Sequence, residues 1–193
     1  IAMSLDDDDE LGWARQTSGK DDILLVTARG QALRIEETTI RPTGRTAAGV
    51  TGIKLANGDR VASMEVVEPD GSLFVITTLG FGKRTPLNEY PVKGRATGGV
   101  STFDSKNLTR TGEISAARVV QEADEVTCIS SAGMVLRLKV ADIRLSGRAT
   151  RGSRLMDVKD GDTVASLARL TPEETVEENG SAKKGTQDIL PGV

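Results

Sequence analysis

The chain has 193 residues, 37% of them hydrophobic and only 3% aromatic, with 21 glycines and a formal net charge of −3. No stretch approaches the roughly 18 apolar residues of a membrane span, the first 30 residues lack a basic-then-apolar signal pattern, and one cysteine with no histidine excludes a disulfide framework within the chain and the usual zinc sites. A soluble, cytoplasmic protein is expected, with a core of Val, Ile and Leu and many tight turns, a composition that favours strands over helices.

Taken in chain order, residues 1–9 read as the end of a preceding unit, because Ile1-Ala2-Met3-Ser4-Leu5 followed by Asp8-Asp9 parallels Gly52-Ile53-Lys54-Leu55 followed by Gly58-Asp59. The array is thus expected to begin in mid-repeat. Residues 10–59 form a first unit: a strand at Leu11-Gly12-Trp13-Ala14-Arg15, then an apolar run from Ile23, a turn with Gly30 and a second run ending in Arg34. Two apolar runs around a short glycine turn make a β-hairpin. A Gly-Arg loop, Gly44-Arg45-Thr46-Ala47-Ala48-Gly49-Val50, and a fourth strand along Gly52–Leu55 follow.

The same series returns in residues 60–112 and 113–162. The opening strand recurs as Val61-Ala62-Ser63, Ile114-Ser115-Ala116 and Val164-Ala165-Ser166, the hairpins as Leu73 to Arg84 and Val126 to Arg137, and the loops as Gly94 to Val100 and Gly147 to Ser153, all at offsets of 50 and 53 residues. The three extra residues fall in a lengthened loop at Ser101 to Asn107. Residues 163–170 are a closing strand and 171–193 an acidic tail whose composition predicts disorder. Four short strands in about 50 residues match one propeller blade, and a single such blade cannot bury both faces, so blades must stack and share a core. The expected fold is therefore all-β and propeller-like, with the chain carrying a partial array.

Charge is distributed unevenly along this series. Residues 11–170 carry 23 Lys and Arg against 18 Asp and Glu, an excess of five positive charges, while Asp6 to Glu10 and the tail reverse the balance. A basic body with acidic ends suggests a polyanionic partner. The Gly-Arg loops are its best candidate contacts, because glycine permits close backbone approach and the guanidinium fork matches phosphate oxygens. Three basic patches result: Arg41 with Arg45, Lys93 with Arg95, and Arg144 with Arg148, Arg151 and Arg154. Lys83 and Arg84 are placed with them. The phase shared by Arg34, Arg84 and Arg137 suits phosphate contact and a structural ion pair alike. No aromatics interleave with these patches, so base stacking is not the expected mode, and no helix suits the major groove. Enzyme chemistry has little to stand on without histidine. Cys128 and Tyr90 lie at apolar positions of the repeat and are read as core. A protein-interaction scaffold is the alternative to a duplex-DNA-binding module.

Residues 44–55, Gly80-Phe81-Gly82-Lys83-Arg84 with Tyr90-Pro91-Val92-Lys93-Gly94-Arg95, and Asp160-Gly161-Asp162-Thr163-Val164 together resemble the C-terminal domain of the bacterial DNA gyrase A subunit over roughly residues 1–170. The related domain of topoisomerase IV is the nearer rival. The resemblance implies a β-pinwheel whose blades exchange strands and around whose basic edge duplex DNA wraps, presenting a segment for strand passage and negative supercoiling. It implies as partners double-stranded DNA, the gyrase B subunit, and the remainder of the A subunit, at the bacterial nucleoid. It implies no catalytic residue and no cofactor here, the ATP and Mg2+ of the isomerase belonging to other parts of the parent enzyme. The family's basic heptapeptide Gln-Arg-Arg-Gly-Gly-Lys-Gly does not occur in the chain.

Overall fold

A computed structural model of the chain describes residues 3–7 and 9–172. Each apolar run becomes a hairpin strand: β1 (Asp22–Thr27) with β2 (Gln31–Glu36), β4 (Ser72–Thr77) with β5 (Phe81–Pro86), and β8 (Glu125–Ser130) with β9 (Val135–Lys139). Gly30, Gly80 and Gly133 turn the chain at φ of +87°, +78° and +86°, a left-handed conformation that costs other residues energy. The remaining strands are β3 (Val61–Val66), β6 (Val100–Ser101), β7 (Ile114–Val120), β10 (Ser153–Arg154) and β11 (Val164–Leu170).

Strand order shows how the repeats interlock. The sheets run β3-β1-β2-β6, β10-β5-β4-β7 and β11-β8-β9, with antiparallel neighbours throughout. A hairpin from one repeat is therefore flanked by strands of the next. The inner strands pack in series, β3 on β7 and β7 on β11, so the sheets fan outward and β6 and β10 lie at the outer edge.

Burial follows from this stacking. Every residue of β4 is buried, because Leu73 and Val75 face a core shared with Leu24, Val26 and Val119, whereas Phe74 and Ile76 face one shared with Val126, Cys128 and Leu167. A strand covered on both faces needs a continuous apolar run in place of alternation. β9 has an uncovered face and edge, and its burial alternates between exposed and partly buried. Tyr90 and Cys128 are core residues, 2% and 0% exposed; Tyr90 Oη lies 2.6 Å from Thr102 Oγ1, and burial pushes the Cys128 thiol up to about 11.

Three local expectations change. The outer strand expected along Gly52–Leu55 and its counterparts forms earlier, at Val100–Ser101 and Ser153–Arg154. Beyond it the chain bends over the hairpin tip, with Thr102 N and Phe103 N donating to Gly30 O at 2.8 and 3.3 Å and Leu155 N and Met156 N to Gly80 O at 2.9 and 3.1 Å. Phe103 and Met156 thereby become buried plugs. The lengthened loop is partly helical: a 3-10 turn at Ser105–Asn107, held by Asp104 accepting from Lys106 N, leads into the single-turn α1 (Leu108–Thr111). Leu11 to Arg15 forms no strand, since such strands pair with the hairpin of the repeat before, and none precedes it among the described residues. The tail from 173 onward lies outside the described residues.

Candidate nucleic-acid interface

The second and third Gly-Arg loops lead directly into the outer strands β6 and β10. Each ends in a glycine with positive φ, +73° at Gly99 and +70° at Gly152. A Cβ at these positions would stand 2.2 Å from Ala32 O and 2.4 Å from Gly82 O, so the close pairing of the edge strand demands glycine. The loops themselves then project from the rim.

The structure distributes the expected contact residues unequally. Arg41, Arg45, Arg144 and Arg151 are exposed and make no ion pair with a described residue. Lys93 is exposed, with Nζ 3.4 Å from Gly99 O, and Arg95 donates to Thr51 O at 3.2 Å. Arg154 stacks 5.1 Å over the Phe81 ring and pairs with Asp157 at 2.8 Å. Arg148 is one-third exposed and 3.8 Å from Glu89, whose carboxylate also accepts from Arg148 N at 3.2 Å.

Lys83 and Arg84 do not belong to this surface. They lie on β5, between β10 and β4, and are 1% and 8% exposed. Arg84 donates through Nε to Ile143 O at 2.6 Å and through Nη2 to Glu122 at 3.1 Å. Its repeat partners do the same work, Arg34 on Asp22 at 2.7 Å and Arg137 on Glu125, so the phased arginine is a structural ion pair. Lys83 donates to Gly147 O at 2.7 Å, to Arg148 O and to Thr150 Oγ1 at 3.2 Å. Burial, the largest influence, brings its ammonium down to about 8.

The inner strands and the segment before β1 carry charges of a different kind. Arg15, Glu65 and Arg118 occupy one repeat position, at offsets of 50 and 53, and alternate in sign; Glu65 Oε1 accepts from Arg15 at 3.3 Å and from Arg118 at 2.7 Å. Arg169 bridges Asp124 (2.6 Å) and Glu68 (Nη2, 3.0 Å) in the same way. Arginines inside the fan are neutralised, and those on the rim are largely free. This ladder was readable in principle from the sign alternation at one repeat position. Among the described residues no group of three or more His, Cys, Asp or Glu could hold a metal ion.

Comparison with known proteins follows the same repeat. The sequence model of the family described as "DNA gyrase C-terminal domain, beta-propeller" matches residues 21–68, 71–121 and 124–171. The A subunit of DNA gyrase from Salmonella typhimurium is 38% identical over 99% of this chain, which spans only 22% of that protein; the chain thus covers about a fifth of the length of such relatives. The crystal structure of the C-terminal domain of DNA topoisomerase IV superposes with a TM-score of 0.86 at 29% identity, covering 95% of this chain and 57% of the other. A DNA gyrase A C-terminal domain superposes at 0.82 and 23% identity, over 88% and 57%, a likeness of fold.

Proposed function

The chain belongs to the DNA gyrase C-terminal domain family, a β-propeller family, and from that membership we propose that it binds duplex DNA along its Gly-Arg rim, bends it and reads little sequence. The observation that carries this reading is the partition of arginine: Arg41, Arg45, Arg144 and Arg151 stand exposed at the rim, with no ion-pair partner among the described residues, while Arg34, Arg84, Arg118 and Arg169 are held in ion pairs with Asp22, Glu122, Glu65 and Glu68. A phosphate backbone is the ligand that a line of free guanidiniums at separate loops fits, since backbone contacts position a duplex without reading bases. In this reading the chain is the DNA-wrapping part of the A protein of a gyrase, acting in the bacterial cytoplasm with gyrase B and with the remainder of its own polypeptide. It presents DNA for strand passage, and ATP and Mg2+ serve other parts of the enzyme.

Salt dependence tests it. Binding to a duplex of about 40 base pairs is expected to weaken steeply between about 50 and 300 mM salt, with log affinity falling linearly against log salt. Arg45→Ala, Arg95→Ala and Arg151→Ala should each weaken binding equally across sequences and lower that slope by about 1. Affinity that did not change with salt would overturn the reading.

A further inference from the structure

The third Gly-Arg loop is held from beneath by a group that the second lacks. Lys83 spends all three of its N–H donors on that loop, two on the carbonyls of Gly147 and Arg148 and one on the Thr150 hydroxyl, which itself donates to Gly147 O at 2.9 Å. Glu89 grips the same peptide from the other side through Arg148 N. At the equivalent positions beneath the second loop stand Leu33 and Thr39, neither of which carries a charge.

We infer that Lys83 is the positioning residue of the third loop, its buried ammonium fixing the turn from Gly147 to Thr150 so that Arg148 and Arg151 meet DNA already ordered. The inference rests on the proposed DNA-binding function. It makes this patch respond to the protonation of one lysine. With the Thr150 hydroxyl donating to Gly147 O, all three oxygens around the nitrogen need a donor, which only an ammonium supplies; a neutral amine has two donors, and Thr150 must give up its bond to Gly147 to serve the lone pair. The charged groups facing Lys83 are Glu89 and Asp104, which favour its charge, and Arg148, which opposes it; burial opposes it most strongly and brings its titration to about 8. The Phe103 ring, 5.7 Å from the ammonium, closes the remaining side.

The full chain and its Lys83→Met variant test the inference at constant salt between about pH 7 and 9.5, with anisotropy of a duplex of about 40 base pairs as one readout and hydrogen-exchange protection of the Arg148 and Thr150 amides as the other. The parent should lose affinity about threefold to tenfold through pH 8, the range expected when one side chain's ordering must be supplied on binding, and protection of the two amides should fall over the same interval. Lys83→Met should bind at pH 7 as weakly as the parent does at pH 9.5 and show no step; Lys83→Arg, which keeps charge and donors, should recover affinity without a step. A Lys83→Met variant with the parent's affinity and pH profile overturns the inference. Should that variant not fold, protection of the Arg148 and Thr150 amides that stays constant in the parent from pH 7 to 9.5 overturns it equally. A parent that binds no duplex refutes the DNA reading instead, while the exchange measurement still decides the role of Lys83.

Discussion

Glycine at the hairpin tip is required for two separable reasons, and the repeat isolates them. Gly80 and Gly133 share a left-handed backbone, but a Cβ on Gly80 would stand 2.0 Å from Met156 O while one on Gly133 would meet nothing within 4 Å. Gly133→Ala should therefore lose only the conformational cost, about 1 kcal/mol, and Gly80→Ala should lose about 3 kcal/mol or more, because the exchanged segment must also move. Urea unfolding of the two variants checks the order, and equal losses would mean that the plug over the tip adds nothing. Asp162 shows a second local device. Its carboxylate accepts from Ala132 N at 2.9 Å and Thr163 N at 2.8 Å, and from the Ser131 hydroxyl at 3.0 Å, tying β11 to the neighbouring hairpin. A hydrogen bond from Ser130 is the chief cause of its lowered pKa, with these contacts assisting and burial opposing. A carboxyl depressed in the folded state stabilises fully above its ordinary value of 3.8 and ceases to do so as pH falls through its folded value. Asp162→Asn should accordingly flatten the dependence of stability on pH between 3.8 and the lower folded value; an unchanged acid limb in denaturant titrations would refute the assignment.

Between elements, ion pairs of Arg118 with Glu65 and of Arg169 with Glu68 join one sheet to another. Arg169 of β11 serves Asp124, whose side chain is 2% exposed, and Glu68, whose pKa its hydrogen bond lowers. Removing the cation strands a buried carboxylate, so Arg169→Met should cost about 2 kcal/mol or more, and adding Asp124→Asn should return part of that loss. A cost under about 0.5 kcal/mol, the level of an exposed pair, would show that the ion pairs of Arg169 do not fasten the sheets. The hairpins were legible in the sequence because both strands and their turn are contiguous, and Gly30, Gly80 and Gly133 mark the same step each time. Strand exchange at the outer edge left no comparable mark. Gln31 pairs with Ser101 across 70 positions in a strand of two residues, too short for any period to register. The fate of Lys83 was half legible, since Leu33 and Leu136 hold its repeat position and so identify an inward-facing site; its charge argued for the surface, and only the carbonyls of the third loop explain how an ammonium resides there.

For the whole molecule, the decisive quantity is where positive charge is left over. The net charge is −3, yet residues 11–170 hold a surplus of five positive charges, and among the cations left without an ion-pair partner in the described residues are Arg45, Arg95 and Arg151, on loops at the outer edges of successive sheets. Those sheets fan outward from β3, β7 and β11, and the proposed function has one duplex follow the loops of successive sheets along a curve. The proposed wrap must therefore spend part of the phosphate attraction on curvature. Smooth bending of a site of 20–30 base pairs through a large angle costs roughly 1–6 kcal/mol. A duplex with about three mismatched pairs at its centre keeps every phosphate but bends at lower cost, so it should bind about fivefold tighter than its matched counterpart, equivalent to roughly 1 kcal/mol of the elastic cost. The gain should shrink in a variant that carries both Arg45→Ala and Arg151→Ala, since DNA held at fewer loops has less reason to curve. Competition between the two duplexes at a single salt concentration reads this directly: equal affinities would mean that DNA crosses the rim without bending, and binding would then have to be assigned to one loop.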